Sequence, residues 1–272
     1  MKKIAIHGVP RSGTSWLGSI FDSSPETIYK LQPLFSYAFK GFIDEKSSSE
    51  KINSFFELIK DSGDEFINQT KNKQTGAYPT FFKNINIDAI VYKEARYHSI
   101  LENMLAQCRD VKVVGIIRNP FGVINSFFNA PKEFRRELGW DEIEEWRFAK
   151  KKNMESPENY YGYEKWKEVT KLFIKLQQLF PQNFRIVKYE DLTTNTLLEV
   201  KNIFAFCELE VSQQTTDYID NSKKTHSDDA YAVFRNNHRH DAWKENLAKT
   251  IIEKIRTDND FIKINSIIKW DI

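Results

Sequence analysis

The sequence predicts an α/β fold, a three-layer sandwich with a mostly parallel central sheet. Three observations carry that prediction. Short apolar runs alternate with stretches of helical periodicity along the chain, the pattern of strand–helix–strand units with right-handed crossovers. The clearest run, "VKVVGIIR" (111–118), is β-branched and nearly continuous, as strands buried on both faces must be. No internal repeat and no Pro/Gly-rich linker divides the 272 residues. One domain over 1–272 is therefore expected, long enough to bury a sizeable core.

The elements follow in order. "KIAIHGV" (3–9) reads as a short buried strand. "TSWLGSIFDSS" (14–24) sets Trp16, Leu17, Ile20 and Phe21 at helical spacing, and Pro25 closes it. Residues 26–43 are aromatic and take no assignment. Residues 44–51 read as a solvated loop or helix start, and "INSFFELI" (52–59) resumes a helical pattern. "AIVYKEA" (89–95) is a second strand. "SILENMLAQC" (99–108) follows as a helix with Ile100, Leu101, Met104, Leu105 and Cys108 on one face. After the strand at 111–118, "GVINSFFN" (122–129) starts another helix. Residues 130–160 are charged and carry Trp; they read as a mobile or inserted segment over a site, or as a plain solvated helix. A strong amphipathic helix spans 163–180, with Trp166, Val169, Leu172, Phe173, Leu176 and Phe180. "FRIVKYEDL" (184–192) is a further strand, "LLEVKNIFAFC" (197–207) a helix, and 243–256 a late helix with Trp243, Leu247, Ile251 and Ile255 in one row.

Composition narrows the function classes. Lys plus Arg is 40 against 38 for Asp plus Glu, a formal net charge of +2. That leaves no broad basic field for nucleic acid or an acidic membrane surface. The 21 Phe, 11 Tyr and 6 Trp serve either a large core or an aromatic-lined pocket for a flat ligand or sugar. Cys108 and Cys207 form no metal or redox spacing and read as small core residues. No run approaches the ~20 apolar residues that a membrane span needs, and "MKKIAIHGVPRSGT" has too short an apolar stretch for a secretory signal. A soluble, cytoplasmic protein without stable membrane insertion is expected.

"HGVPRSGTSW" (7–16) joins a strand to a helix through a glycine-containing turn. Backbone N–H groups and the helix dipole at such a junction hold a phosphate. Gly13 lets the backbone approach, Ser12, Thr14 and Ser15 add hydrogen-bonding groups, and Arg11 supplies the cation. The nucleotide-hydrolysing loop G-x-x-x-x-G-K-[ST] has a lysine after its glycine, where this chain has Thr14. "IIRNPFGVINS" sets Arg118 at a strand end and Ser126 eight residues on in the next helix. Ligands of open parallel sheets bind at the carboxyl ends of strands, so Arg118 and Ser126 can clamp a second phosphate. Each feature also has a plain reading: a surface arginine on an ordinary turn, or a helix-cap salt bridge.

Together these stretches resemble the sulfotransferases that use 3′-phosphoadenosine 5′-phosphosulfate (PAPS), which have a P-loop NTPase-like fold. "PRSGTSW" is similar to that family's 5′-phosphosulfate loop, "IIRNPFGVINS" to its 3′-phosphate motif, "VKYEDL" to a strand end whose Tyr lies near adenine, and "FRNNHRHDAWKENL" to a C-terminal basic segment that closes over the 3′-phosphate. The resemblance implies Trp16 stacking on adenine, Tyr189 touching it, and Arg235 or Arg239 reaching the 3′-phosphate. It implies PAPS as co-substrate and no metal. It also implies that the segments near 26–85 and 130–165 shape the acceptor side. The arginine at position 11 is closer to carbohydrate-type and bacterial members than to cytosolic phenol-type ones. Those cytosolic members carry their catalytic His in a K-x-H motif, and Ala95 stands at that place here.

Sulfuryl transfer is an in-line displacement served by positioning and fixed positive charge. Arg11 and Lys93 are the expected cations. Glu94 is the first candidate base, since a buried carboxylate is raised toward working pH. His98 is the second, with an ordinary value already near neutral. The plain reading of Glu94 is an ion-pair partner of Lys93 or Arg96. His7 reads as structural, and "HRH" (238–240) as an anion grip without metal spacing. The acceptor is expected to be a hydroxyl on a glycan, glycolipid or small metabolite. The alternatives are a non-catalytic nucleotide-binding or adaptor protein and a P-loop kinase.

Overall fold

Five short strands carry the apolar runs, and in the computed structural model they form one parallel sheet in the order β2-β3-β1-β4-β5. The structure describes residues 1–156, 158–224 and 241–272. The strands are β1 (Lys2–His7), β2 (Thr27–Leu31), β3 (Ala89–Glu94), β4 (Val111–Ile117) and β5 (Phe184–Lys188). β1 lies at the centre, with Ile6 opposite Lys93 of β3 on one side and Val114 of β4 on the other.

Helices cover both faces, which explains the near-continuous apolar strands. The principal ones are α1 (Thr14–Asp22), α2 (Ser49–Asp61), α3 (Leu101–Gln107), α4 (Pro120–Phe128), α5 (Tyr163–Leu179), α6 (Tyr189–Thr194), α7 (Thr196–Phe206), α8 (Gln213–Lys224), α9 (Lys249–Arg256) and α10 (Asn259–Ile268). On one face Ile4, Ile6, Val91 and Val114 pack with Leu17 and Phe21 of α1 and Phe204 of α7. On the other, Ala5, Ile90, Tyr92 and Val113 pack with Phe55 of α2, Leu105 of α3, Phe127 of α4 and Phe173 of α5. Cys108 and Cys207 are buried free thiols.

Several boundaries differ from the sequence reading. β2 lies inside 26–43, where no element was assigned. It carries Lys30 in mid-strand, buried because its ammonium donates to the Ser62 carbonyl (3.1 Å) and to Asn68 Oδ1 (2.6 Å). The predicted strand 184–192 stops at Lys188, and Tyr189 begins α6. The predicted helix 243–256 is two pieces, Trp243–Asn246 and α9, separated where Leu247 turns extended. The segment 130–160 is not one solvated helix. It runs through short turns that bury Phe134, Trp146, Ala149 and Tyr160.

Candidate active site

The turn after β1 is left-handed at two residues, Arg11 (φ 72°) and Gly13 (φ 91°). Left-handed backbone strains any residue with a Cβ, so Arg11 is held in a conformation that the surroundings must enforce. At Gly13 a Cβ would also run into the Tyr189 ring. α1 starts directly after Gly13, and no side chain caps it. Its first N–H groups therefore face the turn, an arrangement suited to an anion. Ser12 is fully buried, and its Oγ has no hydrogen-bonding partner. A buried hydroxyl left unpaired costs about 1–3 kcal/mol unless a ligand completes it.

The second predicted clamp meets the first. Arg11 Nε donates to Ser126 Oγ of α4 at 3.0 Å, and an Arg118 terminal nitrogen donates to the Arg11 carbonyl at 3.2 Å. The Arg118 guanidinium lies 4.5 Å from the centroid of the Tyr189 ring. Gly122 makes room for it, since a Cβ there would stand 2.7 Å from Arg118 Nε. The loop is fixed from behind. Trp166 Nε1 donates to the Arg118 carbonyl (2.9 Å), and Asn119 caps α4 at the Gly122 N–H (2.7 Å). Glu190 accepts from the Asn119 backbone and amide through one oxygen (2.9 and 2.7 Å) and from Trp270 Nε1 through the other (2.9 Å).

Arg11, Ser12, Gly13, Thr14, Ser15, Arg118, Ser126 and Tyr189 are thus gathered at the carboxyl ends of β1, β4 and β5. Trp16 lies farther along α1, and its Nε1 donates to Ser222 Oγ of α8 at 3.3 Å. Arg235, Arg239 and the "HRH" run (238–240) lie outside the described residues.

Lys93 and Glu94 end β3 beside this turn, and strand alternation sends their side chains to opposite faces. Lys93 is nearly buried. Burial, with Arg96 and Arg11 nearby, pulls its ammonium below the usual lysine value, against the attraction of Glu94. Glu94 is fully buried. Its Oε1 accepts the Leu34 N–H at 2.7 Å, and its Oε2 has no partner. Burial pushes the carboxyl above the ordinary carboxylate range, opposed by the Leu34 N–H, Lys93 and Arg96.

His98 is fully buried, its ring against Tyr160 and Phe173. Its Nδ1 meets His7 Nδ1 at 3.1 Å, and His7 Nε2 meets the Tyr92 hydroxyl at 3.2 Å. Burial lowers His98 to about 3, so the ring is neutral at working pH. Burial and His98 likewise lower His7. The two rings pair within the core, and His98 Nε2 has no hydrogen-bonding partner.

The sequence reading did not single out Glu133, Lys152 and Tyr161. Glu133 Oε2 accepts from the Tyr161 hydroxyl and pairs with Lys152, both at 2.5 Å. Its carboxyl is depressed despite burial by those two contacts, with Arg11 adding to the effect. The signal was faint, because Glu133 sits in a run of charges and its partners are distant in sequence. Among the described residues no group of three His, Cys, Asp or Glu is placed to hold a metal. No helix among them is long and apolar enough to cross a membrane.

No curated protein matches the sequence. Solved structures match over nearly the whole chain at low identity, which shows a shared fold. Mouse sulfotransferase SULT7A1 complexed with PAP is 15% identical with a TM-score of 0.54, over 98% of this chain and 88% of that one. The sulfotransferase domain of the Synechococcus PCC 7002 olefin synthase is 16% identical with a TM-score of 0.55, over 99% and 95%. A sulfotransferase from Alicyclobacillus acidocaldarius is 14% identical with a TM-score of 0.51, over 100% and 97%. The sulfotransferase-domain family model matches residues 1–260, and the chain therefore belongs to the sulfotransferase family of enzymes.

Proposed function

We propose that the protein transfers the sulfuryl group of PAPS to a hydroxyl acceptor. The observation that carries this reading is the meeting of two arginine-bearing loops, with Arg11 bonded to Ser126 and Arg118 bonded to the Arg11 backbone. That junction offers uncapped helix N–H groups, the unpaired Ser12 hydroxyl and two guanidinium groups, a donor set matched to a ligand with two phosphates. In the reaction the acceptor oxygen bonds to sulfur as the bond from sulfur to the 5′-phosphate oxygen breaks, leaving adenosine 3′,5′-bisphosphate. Arg11 and Lys93 meet the charge on the sulfonate and the leaving phosphate. Ser12, Thr14, Ser15 and the loop N–H groups hold the 5′ side, Arg118 and Ser126 the 3′-phosphate, and Trp16 and Tyr189 the adenine. Glu94 takes the acceptor proton through Oε2, the oxygen left unpaired. His98, held neutral and engaged with His7, is the weaker candidate. The acceptor is a hydroxyl of a glycan, glycolipid or small metabolite, a reading supported by the aromatic Phe35 and Tyr37 exposed beside Glu94's partner Leu34.

Isothermal titration with adenosine 3′,5′-bisphosphate, AMP and ATP tests the donor site. Selective binding of the bisphosphate, weakened at least tenfold in Arg118→Ala, is expected. A preference for ATP would favour a kinase instead. Tight bisphosphate binding with no transfer to any acceptor would favour a non-catalytic binding protein.

A further inference from the structure

The turn after β3, Glu94-Ala95-Arg96-Tyr97, holds three polar groups without hydrogen-bonding partners among the described residues. Glu94 Oε2 and the Tyr97 hydroxyl are buried and unpaired. The Arg96 guanidinium enters no hydrogen bond or ion pair with a described residue; it lies over the Phe35 ring, 3.8 Å from the centroid. Unpaired polar groups in native proteins are few, and each is costly. Three within four residues, two of them buried, concentrate unused hydrogen-bonding capacity at the end of β3.

The neighbouring charges show which group is left for that ligand. Lys152 is paired with Glu133, and Arg11 is held at Ser126. Lys93 is nearly buried and carries the influence of Arg11. Arg96 is the remaining cation of this cluster, and it stands on the β3 end beside the candidate base. Phe35 occupies one face of its guanidinium, and no described residue bonds its N–H groups. A guanidinium stacked this way is pre-organised to bind an oxyanion through two parallel hydrogen bonds. Phe35 itself is 41% exposed and neighbours Phe66, 40% exposed, at a centroid distance of 6.0 Å. The cation is thus bordered by an apolar wall.

We propose that Arg96 recognises a carboxylate or phosphate carried by the acceptor near the reacting hydroxyl, with Phe35 and Phe66 against the adjoining apolar part. This rests on the PAPS-dependent reading above and deepens it: the acceptor is an anionic alcohol or sugar, not a neutral one.

The test is kcat/KM with PAPS for two matched acceptor pairs. One pair is 4-nitrophenyl β-D-glucuronide and 4-nitrophenyl β-D-glucoside. The other is galactose 6-phosphate and galactose. The charged member of at least one pair is expected to be preferred by about tenfold or more, and the pair showing it identifies carboxylate or phosphate. Arg96→Ala should abolish the preference, and Arg96→Lys should retain part of it. Equal use of charged and neutral members, or no transfer to either charged member, overturns the proposal. So does an Arg96→Ala variant that loses rate on both members equally, the result if Arg96 only anchors Phe35. Titration with adenosine 3′,5′-bisphosphate runs in parallel. Failure of the unsubstituted protein to bind it removes the donor reading itself, whereas binding retained in Arg96→Ala confines the defect to the acceptor.

Discussion

Glu94 is tied down at one oxygen and left open at the other, in a place that water does not reach. Its raised pKa has a kinetic sign. The base form exists only above the raised value, so the acidic limb of the rate profile should lie above the ordinary value of about 4.3. Glu94→Gln should erase that limb and lower kcat/KM about 10²–10⁴-fold; a limb that survives the substitution moves the base elsewhere. The His98 shift has a stability sign. Its folded pKa of about 3 lies below the unfolded value of about 6.5. The stability it contributes is full above about pH 6.5 and is lost as pH falls toward the folded value. Melting temperature should drop on acidification below neutrality, and less steeply in His98→Gln. At Gly13, alanine would meet both the left-handed backbone and the Tyr189 ring. Gly13→Ala should cost at least about 1–2 kcal/mol in denaturant unfolding and weaken bisphosphate binding. The two loops that meet at Arg11 were legible because Arg11, Gly13, Arg118 and Ser126 announce themselves by residue type and spacing. Arg96 and Glu133 were not, since an unpaired arginine and a paired glutamate look alike in a charged sequence.

At the scale of elements, the loop from β4 into α4 depends on a brace that comes from the far end of the chain. Trp270 donates to Glu190, which in turn holds Asn119. Trp270→Phe keeps most of the packing and removes one hydrogen bond to a carboxylate, about 1.5–3 kcal/mol. It should lower the melting temperature and also weaken bisphosphate binding through the Arg118 loop; an unchanged affinity would show that the loop holds its shape unaided. β4 was plain in the sequence because both of its faces are buried, so every residue except the half-buried Lys112 is apolar or small. β2 was hidden by Lys30, whose ammonium finds Ser62 and Asn68 once the chain is folded. α8, "QQTTDYIDNSKK", buries Thr215, Tyr218, Ile219 and Ser222, too few apolar residues to show a stripe. The segment 130–160 was misleading because most of its charges face solvent, Glu145 being buried, while its scattered aromatics, Phe134, Trp146 and Tyr160, turn inward.

For the whole molecule, the two apolar clusters share one sheet, with alternate residues of β1 serving each. Neither cluster keeps its sheet face without the other, so urea unfolding followed by tryptophan fluorescence and by circular dichroism should give coincident single transitions. Separated midpoints would divide the chain into independent units. The sheet order carries one more consequence, for kinetics. The central strand is early in sequence, yet Ile4 finds its partners only at Val91 and Lys112. Closing loops of that length precedes any reward from pairing, which makes folding slow and leaves apolar strands exposed in the interim. The turn after β1, the proposed phosphate site, meets Ser126 and the Tyr189 ring, later still in the chain. Ligand-binding competence is therefore a late event of folding, and a nascent chain of this topology is a natural client for a chaperone.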